Sequence, residues 1–162
     1  MAKKKEIIGG PLVVNGRTLS LSRAVRAGDM VYLTGQIPMR DGKPVTEGSI
    51  EDQTRIVLDL ITETLAGAGC TRDEVVKAMV WLRDVEDFPG FNAVYGEYFP
   101  IDPPARSAVL TKLLVDVRVE IEVVAYSPQR RSRLRDDPVV EPLGAGAEPD
   151  AARHDDIDAV AL

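Results

Sequence analysis

Residues 103–126 read PPARSAVLTKLLVDVRVEIEVVAY, and the prediction of the fold class starts from their pattern. From 117 to 123 apolar side chains occupy every second position, and Arg118, Glu120 and Glu122 stand between them. Alternation with a period of two is typical of a strand that buries one face and exposes the other. The stretch therefore predicts a final strand whose polar side chains share the outer face of a sheet.

The elements predicted upstream of this strand complete an α+β pattern. In chain order they are a bent strand or strand pair over 12–21, a strand over 30–37, a short strand near 45, a helix from 49 to about 67, a strand over 75–82, a helix over 88–99 and a strand over 105–114, which precedes the strand over 117–126. The segment 75–82 is apolar and β-branched on both faces, so we expect a central strand that is covered on both sides. This order favours two helices packed on one face of a single sheet.

The chain has 162 residues, enough for one domain with a core, which we expect to span residues 12–126. Residues 1–11 are predicted to be an N-terminal extension, and residues 127–162, which lack a sustained apolar period, a largely disordered tail. The net charge of −6 does not suggest a nucleic-acid-binding surface, and no apolar run approaches the length that spans a bilayer. Because the N-terminus lacks the apolar segment of a signal peptide, the cytoplasm is the expected compartment.

Two scarce residue types limit the chemistry that the domain can perform. The chain has one cysteine, Cys70, and one histidine, His154, which lies in the predicted tail. An intrachain disulfide and a Cys-based zinc site are therefore excluded, and catalysis by a histidine inside the domain is not expected. Carboxylates, arginines, hydroxyls, backbone groups and water remain as groups that could carry a reaction.

Two charged residues are the main candidates for a site. Arg106 follows a rigid proline pair at the start of a strand, where its planar fork of donors could bind a carboxylate or simply pair with a surface aspartate. Glu120 could act as a general acid or base in a cleft, or it could be a polar residue of an outer sheet face, where an arginine and a glutamate pair across strands. The residues alone leave both alternatives open.

Two further positions carry weaker signals. Gly35 follows Thr34 at the end of an apolar strand, where it either marks a β-bulge or permits the close approach of a ligand or another backbone. Asn92 lies beside the aromatic stripe of the second predicted helix. There it either satisfies backbone groups or contacts a ligand or an interface.

Four short segments together closely resemble the signature of the Rid (YjgF/RidA) family. They are LTGQIP at 33–38, FNAVY at 91–95, ARSAV at 105–109 and VEIE at 119–122, and the resemblance extends over roughly residues 17–126. It implies a chorismate-mutase-like fold of the bacillus type, with a mixed six-stranded sheet and two helices on one face. It also implies a homotrimer with ligand sites at the subunit interfaces, and no metal or organic cofactor.

The activity that this resemblance implies is the hydrolytic deamination of reactive 2-imino and enamino acids, such as 2-iminopropanoate and 2-iminobutanoate, to 2-keto acids and ammonia. Arg106 would hold the substrate carboxylate, and Glu120 would position and activate the attacking water or manage the proton on nitrogen. The other substrate-binding positions that it implies are the backbone groups of Ala108 and Gly35 and the residues Thr34, Asn92 and Ser22.

The chain departs from the family pattern in three places. Ala108 stands where many members have cysteine, Ser22 stands where the bacterial deaminase type has a tyrosine, and the connector from Arg106 to Glu120 is one residue shorter than usual. Alternative functions are deamination of a larger enamine such as 2-aminomuconate, and binding of carboxylate ligands by a trimer without turnover. Ribonuclease activity, also described for the family, is less expected of an acidic chain without a basic groove.

A distance argument predicts how the last two strands are arranged. In a tight hairpin Glu120 would oppose Thr111, five positions from Arg106, or roughly 17 Å at ~3.4 Å per residue. A three-carbon imino acid cannot contact both side chains over that distance. If the two groups share a small ligand, we expect strand 75–82 to lie between the two strands, or the groups to come from neighbouring chains.

Overall fold

The structure is a computed structural model that describes residues 5–128. Its elements are β1 (Glu6–Val14), β2 (Arg17–Ala27), β3 (Met30–Leu33), β4 (Met39–Arg40), β5 (Lys43–Pro44), α1 (Ile50–Gly67), β6 (Val75–Leu82), α2 (Phe88–Tyr98), β7 (Ala105–Leu110) and β8 (Val119–Tyr126). Within this part of the chain, no helix is long and apolar enough to cross a membrane.

Six strands form one mixed sheet in the order β1-β2-β3-β8-β6-β7. Neighbouring strands run antiparallel, except β6 and β7, which are parallel. Strands β4 and β5 pair only with each other. Helices α1 and α2 pack on one face of the large sheet, which confirms the predicted α+β fold class.

The core lies between the two helices and the sheet face that they cover. Every second side chain of β8 is buried there, so the alternation of apolar and polar residues in the sequence corresponds to alternating buried and more exposed side chains. The core side chains of the two central strands are Ala78, Val80 and Leu82 of β6 and Val119, Ile121, Val123 and Ala125 of β8. On the other face, Met79 and Trp81 of β6 are half-buried, so cover on that side is incomplete within the described chain.

Strand β6 lies between β7 and β8, as the distance argument predicted. Ala78 is paired with Arg106 of β7, and Trp81 is paired with Glu120 of β8. The two last strands are therefore not hairpin partners. Strand β7 ends at Leu110, four residues earlier than predicted, because its pairing with β6 stops where β6 itself ends.

Strands β1 and β2 form a hairpin around the predicted turn. Asn15 and Gly16 have φ angles of 49° and 73°. Two successive residues with positive φ are typical of a type I′ turn, whose twist matches that of the flanking strands. The prediction of a strand pair around Asn15 and Gly16 is confirmed.

The sheet begins at Glu6, so residues 6–11 form the first part of β1 rather than an extension ahead of the domain. The sequence pattern hides this strand because Gly9 and Gly10 both have positive φ, and the pairing with β2 shifts on either side of Pro11. Irregular backbone and proline are tolerated here because β1 is an edge strand.

Helix α1 begins as predicted. The Ser49 side chain accepts a hydrogen bond of 3.1 Å from the Asp52 N–H, and the Asp52 carboxylate accepts one of 3.2 Å from the Ser49 N–H. This reciprocal capping box satisfies donors that the first turn of a helix leaves free.

The chain stays attached to the domain just beyond β8. Ser127 is buried, its N–H donates to the Asp29 carbonyl over 2.8 Å, and its own carbonyl accepts a 2.7 Å bond from Nη1 of Arg26. Ser127 therefore belongs to the domain. Residues 129–162 of the predicted tail lie outside the described residues.

Candidate functional site

The guanidinium of Arg106 lies on side chains of α2. Its central carbon is 4.5 Å from the ring centre of Tyr95 and 5.2 Å from that of Phe91. Nη2 donates a 2.7 Å hydrogen bond to Oδ1 of Asn92. Residues three and four positions apart share one side of a helix, so α2 can present these groups together. The helix supplies both a floor and one hydrogen-bond acceptor for Arg106.

Arg106 has no ionic partner within residues 5–128. The ion pairs of this region involve Arg55, Arg83 and Arg118, and none brings a carboxylate to Arg106. The described chain therefore does not contain the surface Arg–Asp pair that was one interpretation of Arg106. A partly buried guanidinium with uncompensated charge attracts an anion, and its planar fork suits a carboxylate.

Glu120 lies against the backbone at Gly35. A methyl group placed on Gly35 would overlap the carboxylate oxygen Oε1 and stand 3.1 Å from Cδ of Glu120. The φ of Gly35 is not in the left-handed region, so a larger residue here would be opposed by space alone, and the group that would have to move is the end of the Glu120 side chain. The group that approaches Gly35 closely is therefore the side chain of Glu120, a contact that the sequence did not indicate.

Residues 34–35 also form the β-bulge that was the other interpretation of this glycine. Tyr32 is paired with Val124, whereas the next bridge joins Gln36 to Ile121. The register has moved by one residue, so the strand side holds one more residue than β8 does. The bulge carries the chain past Glu120 at close range.

The carboxyl group of Glu120 is half-buried and unpaired among the described residues. Burial raises the pKa of Glu120, and the negative charge of Glu122 raises that pKa further. Arg118, the arginine that could have formed a cross-strand pair with a glutamate, instead donates to buried Asp87 over 2.7 Å. A carboxyl group that takes up a proton more readily than usual suits proton exchange with a water or a nitrogen.

Arg106 and Glu120 point to opposite faces of the sheet. Arg106 is paired with Ala78, which is buried under the helices, whereas Glu120 is paired with Trp81 on the other face. Paired residues share a face, and successive residues alternate. Three positions along β6 and two strand spacings separate them, or roughly 14 Å between Cα atoms. One chain does not bring both side chains to one small ligand.

A family model described as Endoribonuclease L-PSP matches residues 17–127, well over half of the chain. The chain belongs to this family, the YjgF/RutC/Rid family. A RutC family protein of Pyrococcus horikoshii is 44% identical over 108 residues, which cover 65% of this chain and 85% of the relative. The mitochondrial protein mmf1 of Schizosaccharomyces pombe is 40% identical over 108 residues, which cover 64% of this chain and 66% of the relative.

Solved structures of related proteins share the fold. Yeast Mmf1 has a TM-score of 0.70 at 35% identity, with 76% of this chain and 98% of the other covered. The Rid family protein YyfA of Yersinia pestis has a TM-score of 0.69 at 34% identity, with 75% and 98% covered. Escherichia coli TdcF, crystallised with bound serine, has a TM-score of 0.67 at 30% identity, again with 75% and 98% covered.

The other predicted site residues of this Rid protein fall into two groups. Ala108 is paired with Val80 and lies two positions beyond Arg106 on the same face, where Asn92 also contacts the guanidinium. Thr34 follows buried Leu33, so alternation places it on the opposite face, with Glu120.

Ser22 is not brought to the face of Glu120. Alternation along β2 places Ser22 on the helix-covered side with buried Ala24, whereas the exposed neighbour Leu21 shares the face of Glu120. The sequence did not indicate Leu21, because the register of β2 with β3 determines which side chains of β2 lie on which face of the sheet.

Within residues 5–128, no helix covers the sheet face that carries Glu120. This face exposes large apolar or aromatic side chains that a helix would otherwise bury. The exposed fractions on this face include 50% for Tyr126, 48% for Ile7, 47% for Tyr32, 41% for Val109 and 38% for Leu21. Such a concentration of apolar surface on one side of a sheet is typical of a protein interface.

Replacing Gly35 with alanine is expected to destabilise the fold by about 1 kcal/mol, the low end for an added methyl group, because the flexible Glu120 side chain can move its carboxylate aside. Denaturant unfolding measures the loss. Gly96→Ala is the matched control, since nothing lies within 4 Å of its added methyl group, and it should be up to about 1 kcal/mol more stable. In a Glu120→Ala background the cost of Gly35→Ala should largely vanish. An equal cost in both backgrounds would contradict the contact.

Proposed function

We propose that this Rid protein hydrolyses small 2-imino acids, such as 2-iminopropanoate and 2-iminobutanoate, to 2-keto acids and ammonia. The proposed sites lie between subunits of a homotrimer, with Arg106 from one subunit and Glu120 from its neighbour. The observation that carries the proposal is the placement of Arg106 and Glu120. Each is a charged group without an ionic partner in residues 5–128, and the two stand on opposite faces of one sheet.

The exposed apolar face supports assembly of identical chains. A second copy that covers the Tyr32 and Tyr126 side of the sheet buries apolar surface, and it can place the β7 edge with Arg106 beside Glu120. Closed rotational symmetry repeats the same contact three times in a trimer. Such an assembly would bring Arg106 and Glu120 of different chains together, although the two side chains of one chain are too far apart to share a small ligand.

A trimer is expected in solution at micromolar concentration, and sedimentation equilibrium measures it. The physical reason is the exposed apolar face, which water disfavours. Tyr126→Glu places a charge on this apolar face and should shift the equilibrium toward monomer. A stable monomer of the unaltered chain would contradict both the trimer and the shared site.

Arg106 is proposed to hold the substrate carboxylate through a pair of parallel N–H···O bonds. The bond to Asn92 uses one N–H of the five that a guanidinium offers, so donors remain for a ligand. TdcF was crystallised with serine, which carries the same carboxylate group as a 2-imino acid. The serine bound by that relative supports a carboxylate-bearing ligand for this chain as well.

Glu120 is proposed to exchange protons with water and with the imine nitrogen. The water oxygen attacks C2 of R–C(=NH)–COO⁻ while the Glu120 carboxylate takes one proton from that water and passes it to the imine nitrogen, which gives a carbinolamine and leaves Glu120 ionised. The C–N bond then breaks, the hydroxyl proton is transferred, and R–CO–COO⁻ and NH₃ leave. A carboxyl group whose pKa is raised by burial is suited to both directions of this exchange.

Most of the remaining positions take supporting roles in the proposal. Backbone groups at Ala108 and Gly35 line the pocket, Thr34 lies on the Glu120 side, and Asn92 orients Arg106. Ser22 lies on the helix-covered side of β2 and has no assigned role in the proposed reaction. No metal or organic cofactor is part of the proposed reaction.

The deciding experiment generates 2-iminopropanoate in a coupled assay and follows imine decay with and without the protein. We expect decay to accelerate in proportion to protein concentration. If 2-ketobutyrate binds but imine decay is unchanged, the protein is a carboxylate-binding trimer without turnover. Faster turnover of 2-aminomuconate than of small imines would assign the larger substrate.

Two further parts of the expected function stay predictions. The family description names an endoribonuclease, yet the net charge of −6 gives little reason to expect RNA as a substrate. The sequence favours the cytoplasm, whereas relatives from Schizosaccharomyces pombe and Saccharomyces cerevisiae are named as mitochondrial proteins.

A further inference from the structure

We propose that Tyr95, with Phe91 beside it, is a positioning residue that fixes the plane of the Arg106 guanidinium for its ligand. The two ring centres lie 4.5 Å and 5.2 Å from the guanidinium carbon. At these distances a cation is attracted to the face of an aromatic ring. The inference rests on the proposed role of Arg106 as the carboxylate anchor.

The aromatic floor under Arg106, formed by the rings of Phe91 and Tyr95, is itself packed into the core. Tyr95 is 4% exposed and Phe91 is fully buried. The Tyr95 ring stands 4.7 Å from the ring of Phe99 and 5.5 Å from that of Phe91, so it is packed between two aromatic neighbours in the core. A guanidinium resting on such a surface has less freedom to lose when a ligand binds, and pre-organisation of this kind raises affinity.

The floor orients the cation without neutralising it. Arg55 and Arg83 are paired with carboxylates, which offset their charge, whereas the contacts of Arg106 in residues 5–128 are two rings and one neutral amide. A ring face accepts no strong hydrogen bond, so it leaves the in-plane N–H groups of the guanidinium free. Orientation with retained charge is what a carboxylate ligand requires.

The ring of Tyr95, rather than its hydroxyl, is the part that acts. The hydroxyl is buried and has no hydrogen-bond partner among the described residues. Burial raises the pKa of Tyr95 to about 12, which keeps the hydroxyl neutral near pH 7, although the charge of Arg106 opposes the shift. Tyr95→Phe should therefore lose far less function than a substitution that removes the ring.

The test measures binding of 2-ketobutyrate by calorimetry, since this keto acid is stable and carries the carboxylate. Tyr95→Leu is expected to weaken binding roughly five- to thirty-fold, and Tyr95→Phe should restore most of the affinity. Tyr98→Leu is the matched control, because Tyr98 lies on the same helix under another guanidinium, that of Arg72, at 5.2 Å. Near-equal affinity of Tyr95→Leu and the control would overturn the inference.

A double-mutant cycle with Arg106→Lys separates positioning from general loosening of the core. A lysine ammonium lacks a plane to align, so Tyr95→Leu should add little in the Arg106→Lys background. Additive losses would reduce Tyr95 to a packing residue. If Tyr95→Leu does not fold, Tyr95→Met replaces it in the same cycle.

The same measurements distinguish this inference from the proposed reaction. If ketobutyrate binding depends on Tyr95 but neither the unaltered protein nor any variant accelerates imine decay, the hydrolase is rejected and the positioning role is retained. Unchanged binding in Arg106→Ala would reject the anchor and, with it, the role of Tyr95. If the unaltered protein hydrolyses imines and Tyr95→Leu binds ketobutyrate and turns over imine equally well, only the positioning role is rejected.

Discussion

Replacing Arg106 with alanine is expected to cause a large loss of imine hydrolysis while the protein stays folded. A charge-assisted carboxylate contact is worth ~1.5–3 kcal/mol, which corresponds to roughly tenfold to over a hundredfold in rate. The fold should survive because Arg106 is partly exposed on edge strand β7, and its hydrogen bond to Asn92 is solvent-exposed. The coupled imine assay gives the rate, and circular dichroism with thermal melting gives the folded state.

Arg106→Lys and Arg55→Ala complete this experiment. Lysine keeps the charge but cannot form two parallel bonds to a carboxylate, so it should recover little activity. Arg55 pairs with Glu97 on the exposed surface of the helices, so Arg55→Ala removes an arginine without touching the proposed site. Normal turnover in both Arg106 variants would exclude the anchor role.

The fold was predictable where burial acts on side chains at a fixed spacing. The alternation in β8, the apolar run of β6 and the capping box of α1 each correspond to an element in the expected place. The first part of β1 was missed because its regularity lies in backbone pairing, which glycines and a proline conceal in the sequence. The end of β7 was missed because the length of its partner sets it.

The arrangement of the candidate site depended on contacts that no local pattern contains. Gly35 and Glu120 are far apart in sequence, and only the bulge beside β8 brings them together. Likewise, the pairing of Arg118 with Asp87 leaves Glu120 without a cation. Residue type alone identified Arg106 and Glu120 as candidates. That they lie on opposite faces of the sheet follows from the registers of β7 and β8 with β6.

Replacing Glu120 with glutamine is expected to keep ligand binding and lose most turnover. The amide matches the carboxylate in size but cannot accept the water proton, whereas Arg106 still holds the substrate. Burial raises the pKa of Glu120, so the ionised form costs stability above that raised pKa and the cost is absent at low pH. Glu120→Gln should therefore melt no lower than the unaltered protein at neutral pH. Unchanged turnover would return Glu120 to the role of a polar residue on a sheet face.

Co-expression of Arg106→Ala and Glu120→Gln chains tests whether the two groups come from different subunits. In a cyclic trimer of mixed composition, one of the three interfaces combines an intact Arg106 with an intact Glu120. Three-quarters of trimers are mixed at equal expression, so roughly one quarter of the sites should be complete. Each variant alone forms no complete site. Activity near a quarter of the unaltered level would support the shared site, because a site within one chain cannot be restored by mixing two defective chains. Activity no higher than the sum of the separate variants would reject it.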